Sequence, residues 1–165
     1  MPTLIKNGAI AADTYTRVDA IEGNLSLPAG DVLVGLDTLL SHRAQVLAHA
    51  GRKGVQLKPD QFAEQIADLV SELDLVAVEF PAFADGRGYS TAYLLRTRFG
   101  FTGELRAVGD IFKDTLFYQA RVGFDAFAIR DDKDAEVALK GLADFSEVYH
   151  ASADQPQPLF LRRAI

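Results

Sequence analysis

Leu75-Val76-Ala77-Val78-Glu79-Phe80-Pro81 is the stretch on which the fold turns. Its apolar residues run on without alternating with polar ones, as a strand covered on both faces requires, and Pro81 ends it. Working outward, two earlier runs repeat the pattern: Asp31-Val32-Leu33-Val34-Gly35-Leu36 and the shorter Gly54-Val55-Gln56-Leu57. Two later ones do the same, Glu104-Leu105-Arg106-Ala107-Val108 and Phe124-Asp125-Ala126-Phe127-Ala128-Ile129.

Segments of helical period separate these runs. Leu36, Leu39, Leu40, Leu47 and Ala50 form one stripe, closed by Gly51. After Pro59-Asp60, the residues Phe62, Ile66, Leu69, Val70 and Leu73 form a second. Ala92, Leu95 and Phe99 are stopped at Gly100, and Phe112, Leu116 and Ala120 at Gly123. The last helix starts near Asp131 or Asp132 and carries Ala135, Leu139, Leu142 and Phe145. Alternation of this kind implies βαβ crossovers, and so a mostly parallel α/β sheet of five βα units. An eight-stranded barrel usually takes roughly 200 residues or more. The expectation is therefore an open flavodoxin-like sheet, which we favour, or a half-barrel that completes itself as a homodimer.

Residues 1–30 differ in kind. Leu4-Ile5-Lys6-Asn7-Gly8-Ala9-Ile10 contains the Asn-Gly pair of a tight hairpin, and Thr14-Tyr15-Thr16-Arg17-Val18 reads as a further strand. This antiparallel appendage is expected to cover a sheet edge or meet a second subunit. The tail, residues 151–165, is extended around Pro156 and Pro158. Its Leu159-Phe160-Leu161 is expected to dock on its own domain or on a partner.

Composition narrows the function. One domain is expected from 165 residues, of which 48% are hydrophobic and 24% charged. A formal net charge of -6 argues against general nucleic-acid binding. With no cysteine, thiolate catalysis, thiolate-bound metals and all-cysteine iron–sulfur clusters are excluded. No apolar run approaches the roughly 20 residues of a membrane span, and the N-terminus lacks a signal-peptide layout, so a cytoplasmic protein is expected.

Ligands of parallel α/β sheets bind beyond the carboxyl ends of the strands. That rule nominates Asp37, Lys58, Glu79, Asp85, Arg87, Tyr89, Ser90, Asp110, Lys113, Asp114 and Arg130 as one rim. Asp60, Asp110 and Asp132 also suit helix N-caps. In Asp85-Gly86-Arg87-Gly88-Tyr89-Ser90, Gly86 and Gly88 allow close approach. Arg87 offers a fork to an oxyanion, and Ser90 suits a cap. Glu79, at the end of the most apolar strand, needs a partner, with Arg87 or Lys58 expected. Ser90 is too far from its strand for a nucleophile elbow, so a hydrolase is not expected. His42 and His49 lack the i, i+4 spacing of a zinc pair, and no metal site is expected. Arg96-Thr97-Arg98 reads as solvated helix surface.

Three stretches carry a family resemblance. Glu79-Phe80-Pro81 with the Asp85–Ser90 segment, Leu105-Arg106-Ala107-Val108-Gly109-Asp110, and Gly123-Phe124-Asp125-Ala126-Phe127 together resemble the bacterial domain of unknown function 934. The likeness covers roughly residues 30–150. Members are typically encoded beside the sulfite reductase hemoprotein, often where the usual flavoprotein donor is missing. The resemblance thus implies an accessory or oxidoreductase-like partner of that hemoprotein in assimilatory sulfate reduction. If the chain carries electrons itself, a flavin at the strand ends is the vehicle this fold would use. An assembly factor ranks next. Last comes a small-molecule enzyme binding an anion at Arg87 and Lys58, with Asp110 or Glu79 as general acid or base. The family supplies no catalytic residue to carry over.

Overall fold

A computed structural model describes residues 2–20 and 23–162. Two short strands, β1 (Thr3–Lys6) and β2 (Ala9–Ala11), form the expected hairpin. Asn7 and Gly8 turn it at φ 51° and 75°, angles that few other residue types accept. Then come β3 (Tyr15–Val18), β4 (Asp31–Gly35), β5 (Lys53–Leu57), β6 (Leu75–Phe80), β7 (Glu104–Gly109) and β8 (Ala126–Ile129). The sheet order is β2-β1-β8-β7-β6-β5-β4-β3, with β3 to β8 parallel and in chain order. The hairpin covers a sheet edge, as one reading of it expected, since β1 pairs antiparallel with β8.

Strictly sequential order corrects the favoured open sheet, because a flavodoxin-like chain reverses direction after its first strands. The sheet curls as a half-barrel instead. Edge strands β2 and β3 are joined by residues 12–14 alone. Four Cα steps span at most about 15 Å. Flat, the two edges of eight strands would stand about 34 Å apart.

Helices α1 (Leu36–Ser41), α2 (Arg43–Leu47), α3 (Arg87–Thr97), α4 (Lys113–Arg121) and α5 (Ala135–Lys140) pack on the outer face. There Val55, Val76, Val78, Leu105 and Phe127 of the strands form one core with Leu39, Leu95 and Leu116 of the helices. None of the described helices is long and apolar enough to cross a membrane. Between β5 and β6 two single 3₁₀ turns, Ala63–Ile66 and Val70–Glu72, replace the expected α-helix. Ala63, Ile66 and Leu69, three residues apart, are the buried set, which matches the 3₁₀ period, and Phe62 is left exposed.

The capping expectations are also corrected. Asp134, not Asp132, caps α5, accepting the amides of Glu136 and Val137, and Phe112 rather than Asp110 occupies the N-cap of α4. Asp60 precedes no α-helix. Nor is Arg96 solvated: it donates to the carbonyls of Phe101, Gly103 and Gly123 and to Asp125. In the tail, α6 (Leu159–Arg162) follows a segment held to its own domain by Arg121, which donates to Asp154 and the His150 carbonyl. Phe160 and Leu161 stay exposed.

The inner face carries charge. Arg106 is 3% exposed and Glu104 7%. Glu104 lies 2.6 Å from the Arg106 guanidinium and 2.7 Å from Lys6, while Arg106 also reaches Asp13 and the ring of Tyr15. Burial pushes the Tyr15 hydroxyl up to about 12.

Candidate functional site

Because β3 to β8 run parallel and in order, their carboxyl ends share one rim, and the nominated residues fall into three places along it. The first is a recess of about 100 Å³ beyond β3, β4 and β5. Arg17, Asp19, Asp37, Gln56, Lys58 and Gln61 line it. Its back wall is Gln56, 9% exposed. In the ladder Gln56 stands between Gly35 and Ala77, whose small size leaves room for its amide to reach along the inner face. Arg17 Nη1 donates to Gln56 Oε1 at 2.6 Å, and Gln56 Nε2 donates to Glu79 Oε2 at 2.9 Å. The partner of Glu79 is therefore Gln56, bridging to Arg17, and neither Arg87 nor Lys58. Glu79 lies on the same strand face as Ala77, so the Gln56–Glu79 contact is a diagonal cross-strand pair.

The second place is the Asp85–Ser90 segment. The Arg87 fork closes on Asp85, with Nε at 3.0 Å from Oδ1 and Nη2 at 2.6 Å from Oδ2. This hydrogen bonding holds the Asp85 carboxyl below its usual range and raises Arg87. Gly86 is the N-cap of α3, so Ser90 lies inside the helix rather than capping it. Gly88 is buried where an added Cβ would stand 2.7 Å from the Phe80 ring. Tyr89 packs on Phe80 and Tyr118 with ring centroids 5.1 and 5.0 Å away, and burial raises its hydroxyl pKa. Much of this segment thus seats α3 on β6.

In the third place Asp110 ties two rim loops together. Its Oδ2 accepts the Phe83 N–H at 2.8 Å and its Oδ1 accepts Arg130 Nη1 at 2.5 Å. The rest of the Arg130 fork holds Asp132, at 2.9 Å to each oxygen, and these carboxylates raise Arg130. Lys113 points elsewhere, 3.7 Å from Asp144, and Asp114 is exposed in the first turn of α4.

The family model described as a bacterial protein of unknown function, domain of unknown function 934, matches residues 54–160. The chain belongs to that family. No curated protein matches it. In this family member Gln56, Lys58, Gln61 and Glu79 fall within the matched segment, whereas Arg17, Asp19 and Asp37 precede it.

The rim residues of this domain of unknown function 934 chain do not fit a flavin. The recess is well below the roughly 300–1,000 Å³ of sites that enclose drug-sized ligands, and no aromatic ring lines it. A larger groove of about 580 Å³ between α3 and α4 is lined by Tyr89, Tyr93 and Tyr118, but lies on the helix face and holds no cation for a phosphate. Among the described residues, no group of three or more His, Asp or Glu could hold a metal ion. His42, Gln45 and His49 instead bind the carbonyls of Gly23, Leu25 and Gly30.

Arg17, Asp19, Gln56 and Gln61 escaped the sequence reading. Arg17 was hidden because residues 14–18 read as part of the appendage, whereas β3 is the far edge of the parallel sheet. Gln56 carried a signal, being the one polar residue between Val55 and Leu57.

Proposed function

We propose that this protein is an accessory partner of the sulfite reductase hemoprotein in assimilatory sulfate reduction, working without a redox group of its own. Membership of the domain of unknown function 934 family is the observation that carries the reading, together with the genomic company its resemblance implies. The absence of cysteine and the small, aromatic-free rim recess favour an accessory role over an electron carrier. The test is a pull-down of the purified protein with its host's hemoprotein, with visible spectra of both. Stoichiometric binding with no chromophore on this chain supports the accessory role. A flavin band on this chain moves the role to electron supply. No binding removes the sulfur reading.

A second reading has its own observation. Lys58 and Asp37, two of the residues nominated for the rim, line one recess at the end of the sheet where ligands bind. On this reading the chain binds a small polar ligand there, rather than at the Arg87 loop, where Asp85 occupies the fork.

A further inference from the structure

We infer that the rim recess takes a small zwitterion of the α-amino-acid class, its carboxylate on Lys58 and Arg17 and its ammonium on Asp37. The inference rests on the reading of the recess as a ligand site and adds the ligand's chemistry.

Charge selects the class. Two cations, Arg17 and Lys58, and two carboxylates, Asp19 and Asp37, line the same small volume. Arg17 is partly neutralised, with its Nε 3.6 Å from Asp19 and its Nη1 on Gln56. Lys58 and Asp37 are not: neither side chain hydrogen bonds or pairs with another described residue. With Arg17 and Asp19 facing each other, a bare oxyanion in this space would gain Lys58 but face the unpaired Asp37, and a bare cation would gain Asp37 but face Lys58. A ligand carrying both charges on neighbouring atoms meets both demands, and charge-assisted hydrogen bonds at each end fix its direction.

Size and rigidity agree. About 100 Å³ holds a handful of heavy atoms, which suits glycine, alanine or serine. The wall against which such a ligand would lie is preset. Gln56 is held from both sides by Arg17 and Glu79, so its amide need not be ordered on binding.

The experiment is an amide ¹H–¹⁵N titration of the full chain with glycine, L-alanine and L-serine, alongside acetate, methylammonium, sulfite and sulfate. The expected result is saturable shifts at Gly35, Gln56, Lys58 and Gln61 with at least one amino acid. Its half-saturation should lie about tenfold or more below those of acetate and methylammonium. Lys58→Met and Asp37→Asn should each weaken that binding about tenfold with the Tm unchanged, since both side chains are exposed. If sulfite or sulfate saturates these amides and Asp37→Asn tightens it, the recess is a ligand site but the zwitterion is wrong. Amino-acid binding indifferent to Lys58→Met also overturns the inference. Silence from every probe overturns both it and the reading beneath it.

Discussion

The Arg106 guanidinium lies 2.9 Å from the Asp13 carboxylate, although Arg106 sits in β7 and Asp13 in the link between the two edge strands. The contact crosses the inside of the curl, and Glu104 meets the same guanidinium at 2.6 Å. Two carboxylates and the Tyr15 ring thus replace the water that Arg106 lost on folding.

Removing the cation leaves Glu104 with Lys6 alone and Asp13 without its cation, and breaking a buried pair typically costs about 3–5 kcal/mol. Arg106→Met is expected to lower the urea midpoint accordingly. Glu104→Met combined with Arg106→Met should recover part of it, because the pair is then absent rather than broken. A single variant within about 1 kcal/mol of the parent would mean that water reaches the inner face.

Glu79 makes the second prediction. Its carboxylate is bound by Gln56 and not by Lys58 or Arg87. Gln56→Leu should cost about 1–3 kcal/mol by leaving a partly buried acceptor unmet. Lys58→Met and Arg87→Met should stay within about 1 kcal/mol of the parent, as exposed cations do. Equal losses across all three in chemical denaturation would restore the cations as partners of Glu79.

How much of this was legible depends on the range over which each signal acts. The hairpin at Asn7-Gly8 and the β6 run needed only their neighbours, and both are where the sequence puts them. Over residues 63–72 the periods of 3 and 3.6 diverge too little for the apolar spacing to separate 3₁₀ turns from an α-helix. The curl of the sheet is set by the length of the residue 12–14 link, which means something only once its two ends are known to be opposite edges. Arg96 illustrates the same limit at the scale of a side chain. Its acceptors at Phe101, Gly103, Gly123 and Asp125 lie up to 29 positions away, and no local pattern brings them to it. The strand ends put Asp37 and Lys58 on one rim, but their shared recess and the Gln56 bridge depend on strand order and register.

The glycines of the 85–90 segment divide into two kinds. At Gly86 the backbone has φ -92°, and the nearest atom to an added Cβ is 3.6 Å away. Gly86→Ala should therefore be neutral or stabilising by up to about 1 kcal/mol. At Gly88 the Cβ would press on Phe80 at 2.7 Å and on Val78 at 3.0 Å, so Gly88→Ala should push α3 off β6 and lower stability by about 1–3 kcal/mol. Thermal melts of the two variants decide it. A destabilised Gly86→Ala would show that this glycine serves more than the entry into α3.

Acid should weaken the rim opposite the recess. Arg52 grips Asp31 with Nε at 3.0 Å and Nη2 at 2.5 Å, and Thr14 adds a hydroxyl at 2.8 Å. The Arg52 hydrogen bonds hold the Asp31 carboxyl down at about 2. A folded-state pKa below the unfolded one means that the unfolded chain takes up the proton first. The stabilisation is complete above the ordinary carboxylate value near 4 and is lost as the pH falls towards 2. The Tm of the parent should then drop more steeply than that of Asp31→Asn between pH 4 and 2, with the two curves converging at the acid end. Curves that stay parallel across that window would mean the Asp31–Arg52 pair is as well hydrated as its exposed edge allows and adds nothing to folding.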